Sequence, residues 1–163
     1  ADESYGVTVD DSNRIVVVGF TEGRLSGSSL GSDDAWVRVY EPDGRIAWER
    51  QFGTENIDYA YGVATDASQR IVITGETMGD LAGRNAGASD GYVRTYTPDG
   101  EVAWEVQYGS EDADDAYGIA IAAAGRIAIS GYTAGDLIDR NAGEGFDMFV
   151  RLLGPEGALP RGR

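Results

Sequence analysis

An all-β fold of tandem four-stranded repeats is what this sequence predicts, and three observations carry the prediction. Tyr5-Gly6-Val7, Tyr61-Gly62-Val63 and Tyr117-Gly118-Ile119 stand at a constant spacing of 56 residues, which also links Arg14, Arg70 and Arg126, then Gly19, Gly75 and Gly131, then Thr21, Thr77 and Thr133. A period of this length marks an architecture in which each copy is one supersecondary unit. The 24 Gly, set against 4 Pro and 42% hydrophobic residues, fit a turn-rich β chain that folds. Within each copy, short runs rich in Val, Ile, Tyr and Trp are separated by turn residues, the pattern of successive strands.

The second copy is the complete one. Tyr61 to Asp66 reads as a short first strand, followed by the polar turn Ala67-Ser68-Gln69. Arg70 to Thr77 is a second strand whose Ile71-Val72-Ile73-Thr74-Gly75 run is β-branched and nearly continuous, as expected of a strand covered on both faces. A loop with Gly and Asn, Met78 to Ser89, leads to the third strand, Asp90 to Thr97, in which Tyr92, Arg94 and Tyr96 alternate with Val93 and Thr95. Pro98-Asp99-Gly100 is a tight turn, with Pro fixing the first φ and Gly supplying a positive one. The fourth strand is Val102 to Tyr108.

The first copy repeats this plan through Pro42-Asp43-Gly44 and Ile46-Ala47-Trp48. The third carries one extra residue around Glu144-Gly145-Phe146, then regains the frame at Asp147 and Pro155. Where the earlier copies have Trp48 and Trp104, it has Leu159-Pro160-Arg161; Pro160 removes a ladder donor, so the fourth strand is expected to be missing. Four antiparallel strands in about 50 residues, repeated in tandem, are the signature of β-propeller blades. The expected blades are 1–60, 61–116 and 117–163, the last incomplete. A β-solenoid is disfavoured because each copy closes its own set of hairpins. Closed propellers typically have about four to eight blades, so three call for self-association or for further blades of a parent chain.

The Arg-Ile-x-Ile/Val-x-Gly-x-Thr, Asp-x-x-Val-Arg and Trp-x-x-Gln-Phe/Tyr-Gly elements resemble the bacterial β-propeller repeat called SBBP, and more loosely the delta-60 repeat. The resemblance covers essentially the whole chain. It implies a propeller on an extracellular or cell-surface bacterial protein, and it implies no common activity.

Composition narrows function by exclusion. A formal charge of −15 argues against nucleic acid, whose phosphates require a basic stripe. No run of about 18 apolar residues exists, so no membrane insertion by a helix is expected. Without Cys, His or Lys, the chain has no thiolate, no imidazole relay, no ordinary zinc site and no Schiff base. Carboxylates, Tyr and Arg remain, which limits catalysis to glycosidase-like carboxylate pairs.

Three columns are candidate sites. Asp2, Asp58 and Asp114 precede the first strands, where they would either ring the channel mouth and hold calcium or accept hydrogen bonds from turn backbone. The turn role is preferred, because a calcium loop places several oxygens close in sequence. Asp112, Asp114 and Asp115 together read as a solvated acidic loop. Asp34, Asp90 and Asp147 open the third strands, four residues before Arg38, Arg94 and Arg151, so each Arg is expected to pair with an Asp of its own or a neighbouring blade. Trp36, Tyr40, Trp48, Trp104 and Tyr108 would stack on sugars or, by preference, pack between blades. No catalytic constellation stands out. The expected function is a non-catalytic scaffold or binding segment with no cofactor other than calcium, its rivals being a carbohydrate-binding or glycosidase-like propeller and a calcium-stabilised adhesion module with a protein or glycan ligand.

Overall fold

The computed structural model describes residues 1–137 and 145–158. Eleven strands and no helix occur among the described residues: β1 (Asp2–Val9), β2 (Ile15–Thr21), β3 (Asp34–Tyr40), β4 (Ile46–Phe52), β5 (Asp58–Thr65), β6 (Ile71–Thr77), β7 (Asp90–Tyr96), β8 (Val102–Tyr108), β9 (Asp114–Ile121), β10 (Ile127–Thr133) and β11 (Asp147–Leu153). They form three antiparallel sheets in the orders β1-β2-β3-β4, β5-β6-β7-β8 and β9-β10-β11. The repeat is therefore a blade of four, four and three strands. Leu159-Pro160-Arg161, on which the missing strand was argued, lie outside the described residues.

The first strands begin three residues earlier than the sequence pattern suggests, at Asp58 and Asp114 and not at Tyr61 and Tyr117. A β-bulge hides this start. Ala60 pairs with Gly75 and Gly62 with Thr74, so Tyr61 is the extra residue and breaks the period of two. The register shifts at Tyr5 and Tyr117 in the same way. The glycine opposite each bulge is required by close approach: a Cβ on Gly75 would stand 1.8 Å from the Tyr59 carbonyl oxygen. At the hairpin turns, Gly44, Gly100 and Gly157 adopt φ of 85°, 83° and 78°, as the Pro-x-Gly signals predict.

Two apolar clusters lie between the blades. Val16, Val18, Val37 and Val39 of the first sheet pack with Ile71, Ile73, Tyr92 and Tyr96 of the second, and Val72 and Val93 pack with Ile127, Ile129, Phe149 and Leu153 of the third. Every residue of β6 is buried, because the middle blade is covered on both faces. The first strands stack as β1, β5 and β9 along one side, the position nearest the axis of a propeller.

Candidate functional site

The bulges aim Tyr5, Tyr61 and Tyr117 at one another across the stacked first strands. Ring centroids are 5.2 Å apart from Tyr5 to Tyr61 and 4.6 Å from Tyr61 to Tyr117. The ladder continues through Tyr132 to Phe146, at 5.7 and 4.6 Å, and branches through Tyr59 to Phe20, at 5.9 and 4.5 Å. Beneath it lies a buried pair of carboxyls, Glu76 on β6 and Asp115 on β9. The Tyr61 hydroxyl donates to Glu76 Oε1 at 2.9 Å. Asp115 accepts from Ser89 Oγ at 2.7 Å, from Tyr117 at 3.3 Å and from Tyr132.

These two acids are driven apart in acidity. Burial pushes Glu76 up to about 8, helped by the hydrogen bond to Asp115 and the negative charge there. Burial acts on Asp115 as well, but hydrogen bonds from Glu76, Tyr132, Ser89 and Tyr117 outweigh it and hold that group below the usual carboxylate range. The neutral Glu76 carboxyl donates to the Asp115 carboxylate, so one proton joins the second blade to the third. Burial and the neighbouring carboxylates also raise Tyr59, Tyr61 and Tyr132, which keeps their hydroxyls protonated as donors.

The solvated loop expected of Asp112, Asp114 and Asp115 holds for Asp112 alone, which is exposed, while Asp114 and Asp115 are buried. A signal was present in the breaks of the repeat. The 56-residue columns read Glu3, Tyr59, Asp115 and Phe20, Glu76, Tyr132, and the members of each blade are directly opposite: Glu3 with Phe20, Tyr59 with Glu76, Asp115 with Tyr132. Each blade thus sets one aromatic against one acid, with the order reversed in the middle blade.

The aspartates that open the first strands accept hydrogen bonds from nearby turn and strand groups. Thr21 donates to Asp2, Asp58 accepts from Thr54 N and Thr77 Oγ at 2.6 and 2.5 Å, and Asp114 accepts from Ser110 N and Oγ at 2.5 and 2.8 Å. Burial, with Asp34 nearby, raises Asp58. Among the described residues no group of three or more acidic side chains is placed to hold a metal ion.

The third-strand column requires a correction. Arg38 and Arg94 pair with Glu49 and Glu105, at 2.7 and 2.5 Å, and not with Asp34 or Asp90. Four residues along a strand span about 13 Å, beyond side-chain reach, whereas the glutamates are the direct cross-strand neighbours on β4 and β8. Asp34 and Asp90 instead accept from Gln51 and Gln107, at 2.7 and 2.9 Å, while the same glutamines bond the backbone of Leu25 and Leu81 and so tie each long loop to its sheet. Asp147 opens β11 opposite Thr133.

The arginines still bracket blades, through aromatic rings. Arg94 lies 4.3 Å over Phe52 and Arg151 lies 4.4 Å over Tyr108, each ring belonging to the preceding blade. A second bracket comes from the Arg-Ile motif, where Arg14 reaches the Pro98 carbonyl at 3.1 Å and Arg70 reaches Glu156 at 3.2 Å. Trp48 donates to the Pro98 carbonyl at 2.9 Å and packs on Tyr96; Trp36 is buried, Tyr108 packs edge-on against Phe149, and Trp104 packs with the second apolar cluster. Of the aromatics expected to stack on sugars or pack between blades, Trp48, Trp104 and Tyr108 pack between blades, whereas Trp36 donates to the Phe20 carbonyl and Tyr40 sits beside Arg38 within the first blade.

No protein-family model matches the chain, and no curated protein matches it.

Proposed function

We propose that the chain is a non-catalytic β-propeller scaffold or binding segment, completed into a ring by self-association or by further blades. One observation carries the proposal. Ala35, Val37 and Val39 on β3 are fully buried against the second blade, while the matching Met148, Val150 and Leu152 on β11 are 85%, 61% and 46% exposed. The third blade thus presents the same apolar face without the neighbour that covers it in the first. The resemblance of its motifs to SBBP repeats supports an extracellular or cell-surface setting.

A carbohydrate-directed reading draws on the half-exposed rings of Tyr5 and Tyr117 and the exposed ring of Phe146 near the carboxyl pair. A glycosidase would need carboxyls about 5–10 Å apart flanking an open pocket. Glu76 and Asp115 share a hydrogen bond beneath tyrosines, which favours a clasp over a catalytic pair. A calcium-stabilised adhesion role would make the melting temperature fall on chelation. A glycan panel read by thermal shift and reducing-sugar release, with and without chelator, tests the proposal. Unchanged melting and no turnover are expected. Sugar release abolished by Glu76→Gln would overturn the non-catalytic reading.

A further inference from the structure

We infer that the open face of the third blade is a socket for the first strand of a second copy, so that two chains close head to tail into a six-bladed ring. The inference rests on the blade reading above and names the partner. Two interfaces inside the chain already display the fit. A Cβ on Gly6 would stand 2.7 Å from the Tyr61 carbonyl oxygen and 3.3 Å from Val63 Cγ1; one on Gly62 would stand 2.6 Å from the Tyr117 carbonyl oxygen and 3.1 Å from Ile119 Cγ2. Each blade therefore uses the glycine of its Tyr-Gly-Val/Ile bulge as the seat for the tyrosine carbonyl of the next.

Gly118 is the third such seat. Among the described residues, the atoms within 4 Å of a Cβ placed there are those of Ser130, within its own blade. A groove of about 300 Å³ opens at this point, lined by Gly118, Ala120, Ala128, Ser130 and Val150 on the open face. Its counterpart at the other end is β1, whose Tyr5, Val7 and Val9 are 48%, 67% and 57% exposed. The matching Val63 packs into the first apolar cluster, and Ile119 and Ile121 pack into the second. Tyr5 of a second copy, seated at Gly118, would place its ring on Tyr117 as Tyr61 sits on Tyr5. The plug and the socket are different surfaces, so the contact is heterologous and must close by rotation or polymerise. Two copies supply six blades, inside the range of about four to eight of closed propellers, whereas three supply nine.

The test is light scattering across a concentration series of the chain, of Val7→Lys, of Val150→Asp and of an equimolar mixture of the two variants. Both side chains are exposed in the single chain, so both variants are expected to keep its far-ultraviolet circular dichroism and its unfolding transition. The expected masses are twice 17.3 kDa for the parent chain, 17.3 kDa for each variant alone, and twice 17.3 kDa again for the mixture. The mixture recovers because one of its two interfaces is native and the other pairs Lys with Asp. Dissociation by one variant only would mean a like-to-like contact and would overturn the inference, as would a parent trimer or a failure of the mixture to recover. A parent chain that stays monomeric overturns the second copy as occupant and leaves the scaffold reading to stand on further blades; sugar turnover would defeat the scaffold reading without altering these masses.

Discussion

Glu76 shows how a single residue that departs from a repeat acquires its own chemistry. Its folded-state acidity lies above the ordinary carboxyl value of 4.5, at about 8, so between those limits the folded chain holds a proton that the unfolded chain has lost. The contribution of this group is fully present below pH 4.5 and is lost as pH rises through about 8. Melting temperature is expected to decline across that window in the parent chain and to stay nearly flat in Glu76→Gln, whose amide still donates to Asp115. A parent profile that rises through the window would contradict the shared proton. Gln107 works through geometry instead of titration. Gln107→Leu removes the acceptor of the Leu81 and Ala82 amides and one donor to the buried Asp90 carboxylate, which keeps the Ala86 amide. The expected loss is about 2–4 kcal/mol by urea denaturation, since one orphaned buried polar group costs about 1–3 kcal/mol and charged groups cost more.

At the scale of elements, the bulge in each first strand decides how blades meet. It turns Tyr5, Tyr61 and Tyr117 toward the aromatic ladder and leaves a glycine where the next blade's backbone approaches. Gly62→Ala puts a methyl group 2.6 Å from the Tyr117 carbonyl oxygen, which the flanking sheets must part to admit. Overpacking of this kind costs about 1–3 kcal/mol, and equilibrium denaturation should register it for Gly62→Ala. The third strands add a second joint, with Arg94 held by the cross-strand Glu105 and laid over Phe52 of the blade before it. In the third blade Arg151 covers Tyr108, and its Nη1 is buried with no hydrogen-bond partner among the described residues. Arg94→Leu, which discards both halves, should destabilise more than Arg94→Lys at matched burial, by the margin of a planar cation on an aromatic face, about 0.5–2 kcal/mol.

For the whole molecule, charge and apolar end faces act in opposite directions. Each copy carries a formal charge of −15, so in the proposed ring two copies would repel while the exposed Val7, Val9, Met148 and Val150 would draw them together. Salt shortens the reach of the repulsion, from a Debye length of about 10 Å at 0.1 M to about 3 Å at 1 M, and leaves the apolar contact intact. Association should therefore tighten as sodium chloride is raised, and the melting temperature should climb with protein concentration, as it must when partner binding is linked to folding. Sedimentation at two salt concentrations checks the first expectation. Weaker association in high salt would point to ion pairs as the main contact.

The strand order, the turns and the three-fold repetition were legible in the sequence because they depend on short-range rules: β-branched runs, Pro-x-Gly turns and a fixed 56-residue period. The sequence also located positions that join blades, since Arg94, Arg151, Trp48 and Trp104 recur in register, while Arg38 pairs within its own blade. Their partners were decided only by the tertiary structure. Spacing along a strand suggested Asp34 and Asp90, but the reach of a side chain favours the residue across the ladder, and so Glu49 and Glu105 hold the arginines. The Glu76–Asp115 pair lay hidden for the same reason: the two acids are 39 positions apart in the chain and meet only where β6 of one blade stacks on β9 of the next. Burial then fixes their acidity, because a carboxyl takes its pKa from the charges, donors and solvent that the fold places around it.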